Sequence, residues 1–216
     1  MPTVLSTKKL ALNQKELLLN SGIGLVEYDA INIKFIDFNF EKKTVRNAIF
    51  TSKNAVKAIE KKGLRIENCF CVGEKTRAYL EERNFLVLEN AENAKDLAIR
   101  ILKNYKDREF HFFSGDKRRD ELPDLFRRNN IKYKEVSVYK TELNPKKFES
   151  EFDGILFFSP SGVQSFTQNN KISGTAFCIG ETTAKESRKH TETIIVATKP
   201  TIENVITKVV SHFKNK

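Results

Sequence analysis

Five short segments of this 216-residue chain join hydroxyl side chains or glycine to the start of a helical pattern. They are Thr51-Ser52, Gly73 to Thr76, Ser114-Gly115, Ser159 to Gly162 and Gly180 to Thr183. Each follows a short apolar run, so each reads as a turn between a strand and a helix. A turn of this kind offers backbone N–H groups that no helical carbonyl accepts, at the positive end of a helix. Serine and threonine hydroxyls add further donors. The chemistry open to such groups is the holding of oxyanions, phosphate or carboxylate. Any single Ser or Thr here is more simply a helix N-cap. The case for binding rests on five such turns in one chain. It names Thr51, Ser52, Gly73, Thr76, Ser114, Gly115, Ser159, Ser161, Gly162, Gly180, Thr182 and Thr183 as candidate binding residues.

Other chemistries find less support. Neither GxxxxGK[ST] nor GxGxxG occurs, so nucleotide binding lacks its main signature. No Ser–His–Asp or Cys–His signature appears. The three histidines, His111, His190 and His212, have no metal-ligand spacing, and the expectation is no metal and no cofactor. Cys69, Cys71 and Cys178 form no CxxC and leave one over, which argues against a disulfide framework and for a reducing cytoplasm. Cys71 and Cys178 stand within strand runs and read as core. Lys117-Arg118-Arg119 follows Gly115 and would stand beside the binding turns, with Arg119 a candidate ligand contact. Tyr139 ends an apolar strand pattern and reads first as packing.

The net charge is +10 and the pI near 9.4, which suits an anionic partner or simply a soluble surface. Nucleic acid is disfavoured, because the aromatics lie in apolar strand runs instead of interleaving with basic residues. No apolar run approaches the ~20 residues of a membrane helix. The N-terminus has no basic region followed by an apolar one, so no secretory signal is expected.

The elements that would position these turns come in two copies. Ile49-Phe-Thr-Ser-Lys-Asn-Ala-Val56 is similar to Leu156-Phe-Phe-Ser-Pro-Ser-Gly-Val163, which sets Ser52 against Ser159. Phe70-Cys-Val-Gly-Glu-Lys-Thr76 is similar to Phe177-Cys-Ile-Gly-Glu-Thr-Thr183, and the offset from Gly73 to Gly180 equals that from Ser52 to Ser159. Phe85 to Leu88 matches Glu192 to Ile195 likewise. A period of about half the chain means a duplicated domain, not a solenoid. Each half alternates strand and helix, which implies parallel sheets covered by helices on both faces. The spacing predicts strands at Ala48–Phe50, Asn68–Val72, Leu86–Leu88, Phe110–Phe113 and Lys132–Tyr139. It predicts helices at Arg77–Glu82, Ala94–Asn104 and Asp120–Asn129, with Ser114-Gly115 as a turn. Asn32–Phe40 alternates polar and apolar like a half-buried strand. That segment and Tyr139–Pro145 are the two candidate connections between domains.

Together the ordered motifs resemble the uroporphyrinogen-III synthase family. They are Ile49 to Val56, Val72-Gly73 to Thr76, Gly115 to Pro123, Val138-Tyr-Lys-Thr141, Phe157 to Val163 and Ile179 to Ala184. The resemblance implies two similar flavodoxin-like α/β domains, three layers each, interleaved and joined by a two-stranded connector. The first domain would be 1–33 with 143–216, the second 36–140, and the connectors would lie near 33–36 and 140–143. It implies closure of the linear tetrapyrrole hydroxymethylbilane to uroporphyrinogen III, with the last ring inverted and water lost, in a cleft between hinged domains. The partner is then a polycarboxylate small molecule, with a transient contact to the upstream deaminase allowed. Neither membrane nor nucleic acid is involved, and monomer is the default. The resemblance makes Tyr139 the catalytic candidate, as a donor to the departing hydroxyl. Thr76 and Thr183 would line the cleft from opposite domains. The chain departs from bacterial members at Thr7-Lys8-Lys9, where Thr-Arg-Pro is frequent, and carries Lys53 and Glu181 where proline is common. The competing reading is a non-catalytic tetrapyrrole- or anion-binding protein of the same fold.

Overall fold

The computed structural model describes residues 1–40, 43–118 and 120–214. In chain order the first elements are β1 (Thr3–Ser6), α1 (Leu12–Leu19), β2 (Gly24–Glu27), β3 (Ile31–Phe35), β4 (Thr44–Phe50) and α2 (Lys53–Lys62). There follow β5 (Arg65–Val72), α3 (Glu74–Glu81), β6 (Val87–Ala91), α4 (Ala94–Asn104), β7 (Phe110–Gly115), α5 (Glu121–Arg128) and β8 (Tyr133–Leu143). The last are β9 (Gly154–Phe157), α6 (Pro160–Thr167), β10 (Thr175–Cys178), α7 (Glu181–Ser187), β11 (Ile194–Val196) and α8 (Ile202–Lys214). The chain divides into two compact units, Met1–Asn32 with Glu142–Lys216, and Ile33–Thr141.

The first unit holds a five-stranded sheet in the order β11-β10-β9-β1-β2, all parallel. Its strands alternate between two cores. Leu5, Ile155 and Phe157 pack with Val163 and Phe166 of α6. Val4, Leu156 and Phe177 pack with Leu18 of α1 and Val205, Ile206 and Val209 of α8. A strand whose successive side chains both find apolar partners must be covered on both faces, which is why these strands read as unbroken apolar runs.

The second unit holds a sheet in the order β3-β8-β7-β4-β5-β6, with parallel pairing from β8 to β6. Phe50, Phe113 and Val138 face Val56 and Ile59 of α2. Ile49, Phe70 and Phe112 face Leu97 and Ile101 of α4 and Phe126 of α5. Ser52 caps α2 by accepting the N–H of Asn54 at 3.1 Å, and Gly63 ends that helix at φ +67°.

The duplication runs further than the matching motifs. The same sequence offset carries Thr3 of β1 onto Phe110 of β7. The orders β6-β5-β4-β7-β8 and β11-β10-β9-β1-β2 then become the same order. In chain order the first unit is 2-1-3-4-5, as in flavodoxin, and the second is 3-2-1-4-5 with β3 added at its edge. They are one arrangement entered at different strands.

Among the expected boundaries that differ, two stand out. Ser114-Gly115 belongs to β7 and is not a turn, because the pairing with β8 continues through both residues. Of Asn32–Phe40, the strand β3 reaches only Phe35; beyond it Phe38 and Phe40 fold onto Phe113 instead of continuing a ladder.

All three cysteines are buried and unbridged. Burial pushes the Cys69 and Cys71 thiols up to about 12 and raises that of Cys178. Thiols this far from ionising do not react. Iodoacetamide at pH 8 should therefore leave the native protein unlabelled by mass spectrometry and add three labels after denaturation. A label on native protein would contradict the buried assignment.

Candidate active site

In an open parallel sheet, ligands bind beyond the carboxyl ends of the strands, where the strand order reverses direction. In the second unit that point lies between β4 and β7. A cavity of about 310 Å³ opens there. Its lining takes Thr51 and Ser52 from the end of β4, Gly115 from β7 and Tyr139 from β8. Lys117, Arg118, Asn93 and Glu121 contribute to its polar part.

Tyr139 is held here by backbone geometry. The β7–β8 register slips between Ser114 and Gly115, so Ser114 pairs with Ser137 while Gly115 pairs with Tyr139. Such a bulge re-aims the side chains beyond it. Tyr139 O accepts the N–H of Asp116 at 3.1 Å, and Asp116 Oδ1 accepts the N–H of Thr141 at 2.9 Å. The ring lies against the Cα of Gly115. A Cβ at position 115 would stand 2.4 Å from both Cε2 and Cζ of Tyr139. Only glycine lets the ring lie there.

Next to Gly115 on β7, Ser114 is 1% exposed and donates to Glu135 Oε1 at 3.2 Å. Glu135 takes the Arg118 guanidinium at two points, from Nε to Oε1 and from Nη2 to Oε2. Arg118 Nη1 donates to Asp120. Hydrogen bonds from Arg118 to these two carboxylates, Glu135 foremost, hold its guanidinium well above the usual arginine range.

The other candidates are distributed as follows. Gly73 begins α3 at φ +83°, directly after Val72 of the cavity lining. Thr76, in the first turn of α3, is 6% exposed. In the first unit Ser159, Ser161 and Gly162 begin α6 and Gly180, Thr182 and Thr183 begin α7. Ser159 Oγ accepts the N–H of Gly162 at 3.0 Å. Thr182 is exposed, whereas Thr183 is 1% exposed. A capping hydroxyl that accepts an N–H keeps its own hydrogen to donate. Ser52 and Ser159 can thus cap a helix and still bind an anion. Gly162 sits close to Thr7, whose hydroxyl donates to Leu156 O at 2.7 Å. Arg119 lies outside the described residues. Glu181 is engaged by Arg188, whose hydrogen bond holds the carboxyl below its usual range, and Glu74 accepts from Asn90 Nδ2 at 3.2 Å. These two acidic residues at candidate turns are therefore each matched by a donor.

Asn93, Glu121 and Arg118 line the cavity and Glu135 holds Arg118, and none of the four stands singly among the candidates from sequence. The run Lys117-Arg118-Arg119 was the available signal for Arg118. Nothing in the sequence marked its partner on β8. Among the described residues no group of three or more His, Cys, Asp or Glu could hold a metal ion, and no helix is long and apolar enough to cross a membrane.

The family model described as "Uroporphyrinogen-III synthase HemD" matches residues 14–207. The chain belongs to the uroporphyrinogen-III synthase family. One relative is "Porphyrin biosynthesis protein HemD" of Ruminiclostridium josui, 35% identical over 101 residues. The match takes in 41% of this chain and 20% of that longer protein, so the chain spans only a fifth of that relative. Among solved structures, the uroporphyrinogen-III synthetase of Helicobacter pylori 26695 is 17% identical with a TM-score of 0.76, covering 98% of this chain and 100% of that one. A mutant uroporphyrinogen III synthase of Thermus thermophilus is 11% identical with a TM-score of 0.63, and all of both chains is covered. At these identities the two structures speak for the fold that this family member shares.

Proposed function

We propose that the chain closes hydroxymethylbilane to uroporphyrinogen III. The observation that carries this is the family match over residues 14–207, with Tyr139 lining the second unit's switch-point cavity as support. The reaction begins with departure of the hydroxyl from the terminal hydroxymethyl group, leaving an electrophilic azafulvene. The substituted carbon of the last ring attacks it, forming a spiro intermediate. That intermediate fragments and recloses with the ring inverted, and one water is lost overall. No electron acceptor or donor enters this balance. Unaided, the linear substrate closes without inversion to the type I isomer. The protein's task is therefore to hold the chain in the conformation from which the inverted route wins.

In this reading the Tyr139 hydroxyl donates to the departing oxygen, directly or through water, as assistance and not as an obligatory acid. Backbone N–H groups at the starts of α2, α3 and α7, and hydroxyls there and at the start of α6, receive carboxylates of the substrate. The domains are 1–33 with 143–216 and 36–140, and the strands near 33–36 and 140–143 act as their connector. The protein works as a cytoplasmic monomer beside the deaminase that supplies its substrate.

The test generates hydroxymethylbilane in place with that deaminase and separates the oxidised products into type I and type III porphyrins. Type III should dominate when the protein is present. Tyr139→Phe should still give type III, at a rate roughly tenfold lower, less than the hundredfold or more that loss of an obligatory acid–base group costs. Unchanged type I from a folded sample would leave a binding protein of this fold.

A further inference from the structure

Glu135 holds Arg118 in a bidentate pair, from Nε to Oε1 and from Nη2 to Oε2. Two parallel N–H···O contacts fix the guanidinium plane as well as its position. Glu135 is itself tied to the buried Ser114 of β7. The side chain of Arg118 is 23% exposed and lines the Tyr139 cavity. Its remaining edge, Nη1, faces Asp120, whose side chain is 69% exposed. An exposed ion pair is weak, because water and salt compete for both partners. The two halves of this network therefore differ in kind. Glu135 is an anchored orienting group, while Asp120 is a replaceable one.

We propose that Arg118 receives one carboxylate of the substrate, with Asp120 occupying that place in the free protein and yielding it on binding. The proposal rests on the tetrapyrrole reading above, which supplies the polycarboxylate. Glu135 keeps the fork aimed, so that the incoming carboxylate meets an oriented donor. Asp120 neutralises the fork until then. Binding at this subsite is an exchange of one carboxylate for another, with no new charge buried. Lysine would keep the charge and lose the fork.

KM and kcat for type III formation are measured for wild type, Arg118→Ala, Arg118→Lys and Asp120→Asn. Arg118→Ala should raise KM about tenfold and leave kcat within about twofold, the pattern of lost ground-state binding. Arg118→Lys should recover only part of that loss. Asp120→Asn should lower KM by about threefold, since the competitor is gone while the exposed site keeps its fold. A merely structural ion pair would shift melting temperature and leave KM unmoved. Unchanged KM in folded Arg118→Ala, or a raised KM in Asp120→Asn, overturns the proposal while type III formation by wild type leaves the activity standing. Type I alone from wild type overturns both.

Discussion

Gly115→Ala should lower the rate of type III formation by roughly ten- to a hundredfold, the range expected when a reacting group is misplaced by about an ångström. The added methyl group would stand 2.4 Å from Cε2 and Cζ and 2.8 Å from the hydroxyl oxygen of Tyr139. A ring can swing where a backbone cannot, so relief comes from Tyr139 leaving its place. The backbone of β8 stays, held by the Asp116 N–H and by the ladder to β7. Melting temperature should fall by only a few degrees, while the rate falls more than in Tyr139→Phe. That ordering separates position from hydroxyl chemistry. A Gly115→Ala enzyme with the wild-type rate would show that the place of the Tyr139 ring is irrelevant.

Gly174→Ala should do the opposite, with loss of stability the first effect. A Cβ there would stand 2.3 Å from Phe152 O and 2.4 Å from Asp153 O, both backbone atoms. Asp153 O also accepts the N–H of Thr175 at 3.0 Å, at the head of β10. Neither carbonyl can turn away without disturbing the β9–β10 pairing, which begins with Gly154 opposite Thr175. Overpacking of this kind costs about 3 kcal/mol, at the upper end of the usual range. For a chain of this size that is a fall in Tm of roughly 6–12 °C. Gly180→Ala is the matched control, because a Cβ there meets nothing within 4 Å and its φ is −178°. Equal melting temperatures for the two variants would refute the backbone clash.

Much of the fold was legible because β4, β5, β9 and β10 end in apolar runs followed within two residues by Ser, Thr or Gly. The helix expected at Ala94–Asn104 is α4 residue for residue, since its apolar positions Leu97, Ile101 and Leu102 recur at helical spacing and Asn93 caps it. The errors fell where local chemistry and pairing disagree. Ser-Gly at 114–115 has turn composition, but β8 pairs with it. The segment Gly73 to Thr76 reads as a lead-in to a helix at Arg77, yet Gly73 at φ +83° lets α3 start at Glu74. Of the cavity lining, Thr51, Ser52, Gly115 and Tyr139 were legible from motif order. The Arg118–Glu135 contact was not. It depends on strand register and on the bulge beside Gly115, which sequence spacing does not encode.

The interleaving of the units has a consequence for how the chain is made. β1 is an inner strand, paired on one side with β2 and on the other with β9. It is synthesised well before its second neighbour, which begins only at Gly154. At roughly 5–20 residues per second, β1 waits on the order of ten seconds for that neighbour. The stretch Ile33–Thr141 is contiguous and complete before then. Once it folds, β3 and β8 lie side by side, and Asn144 N donates to Ala30 O at 2.9 Å just beyond them. The long intervening chain is thereby reduced to a short tether. The closure entropy that β1 and β9 would otherwise face is largely removed before they meet. The unit whose residues are complete first can thus mature first and serve as the splint on which β1 and β9 are brought together.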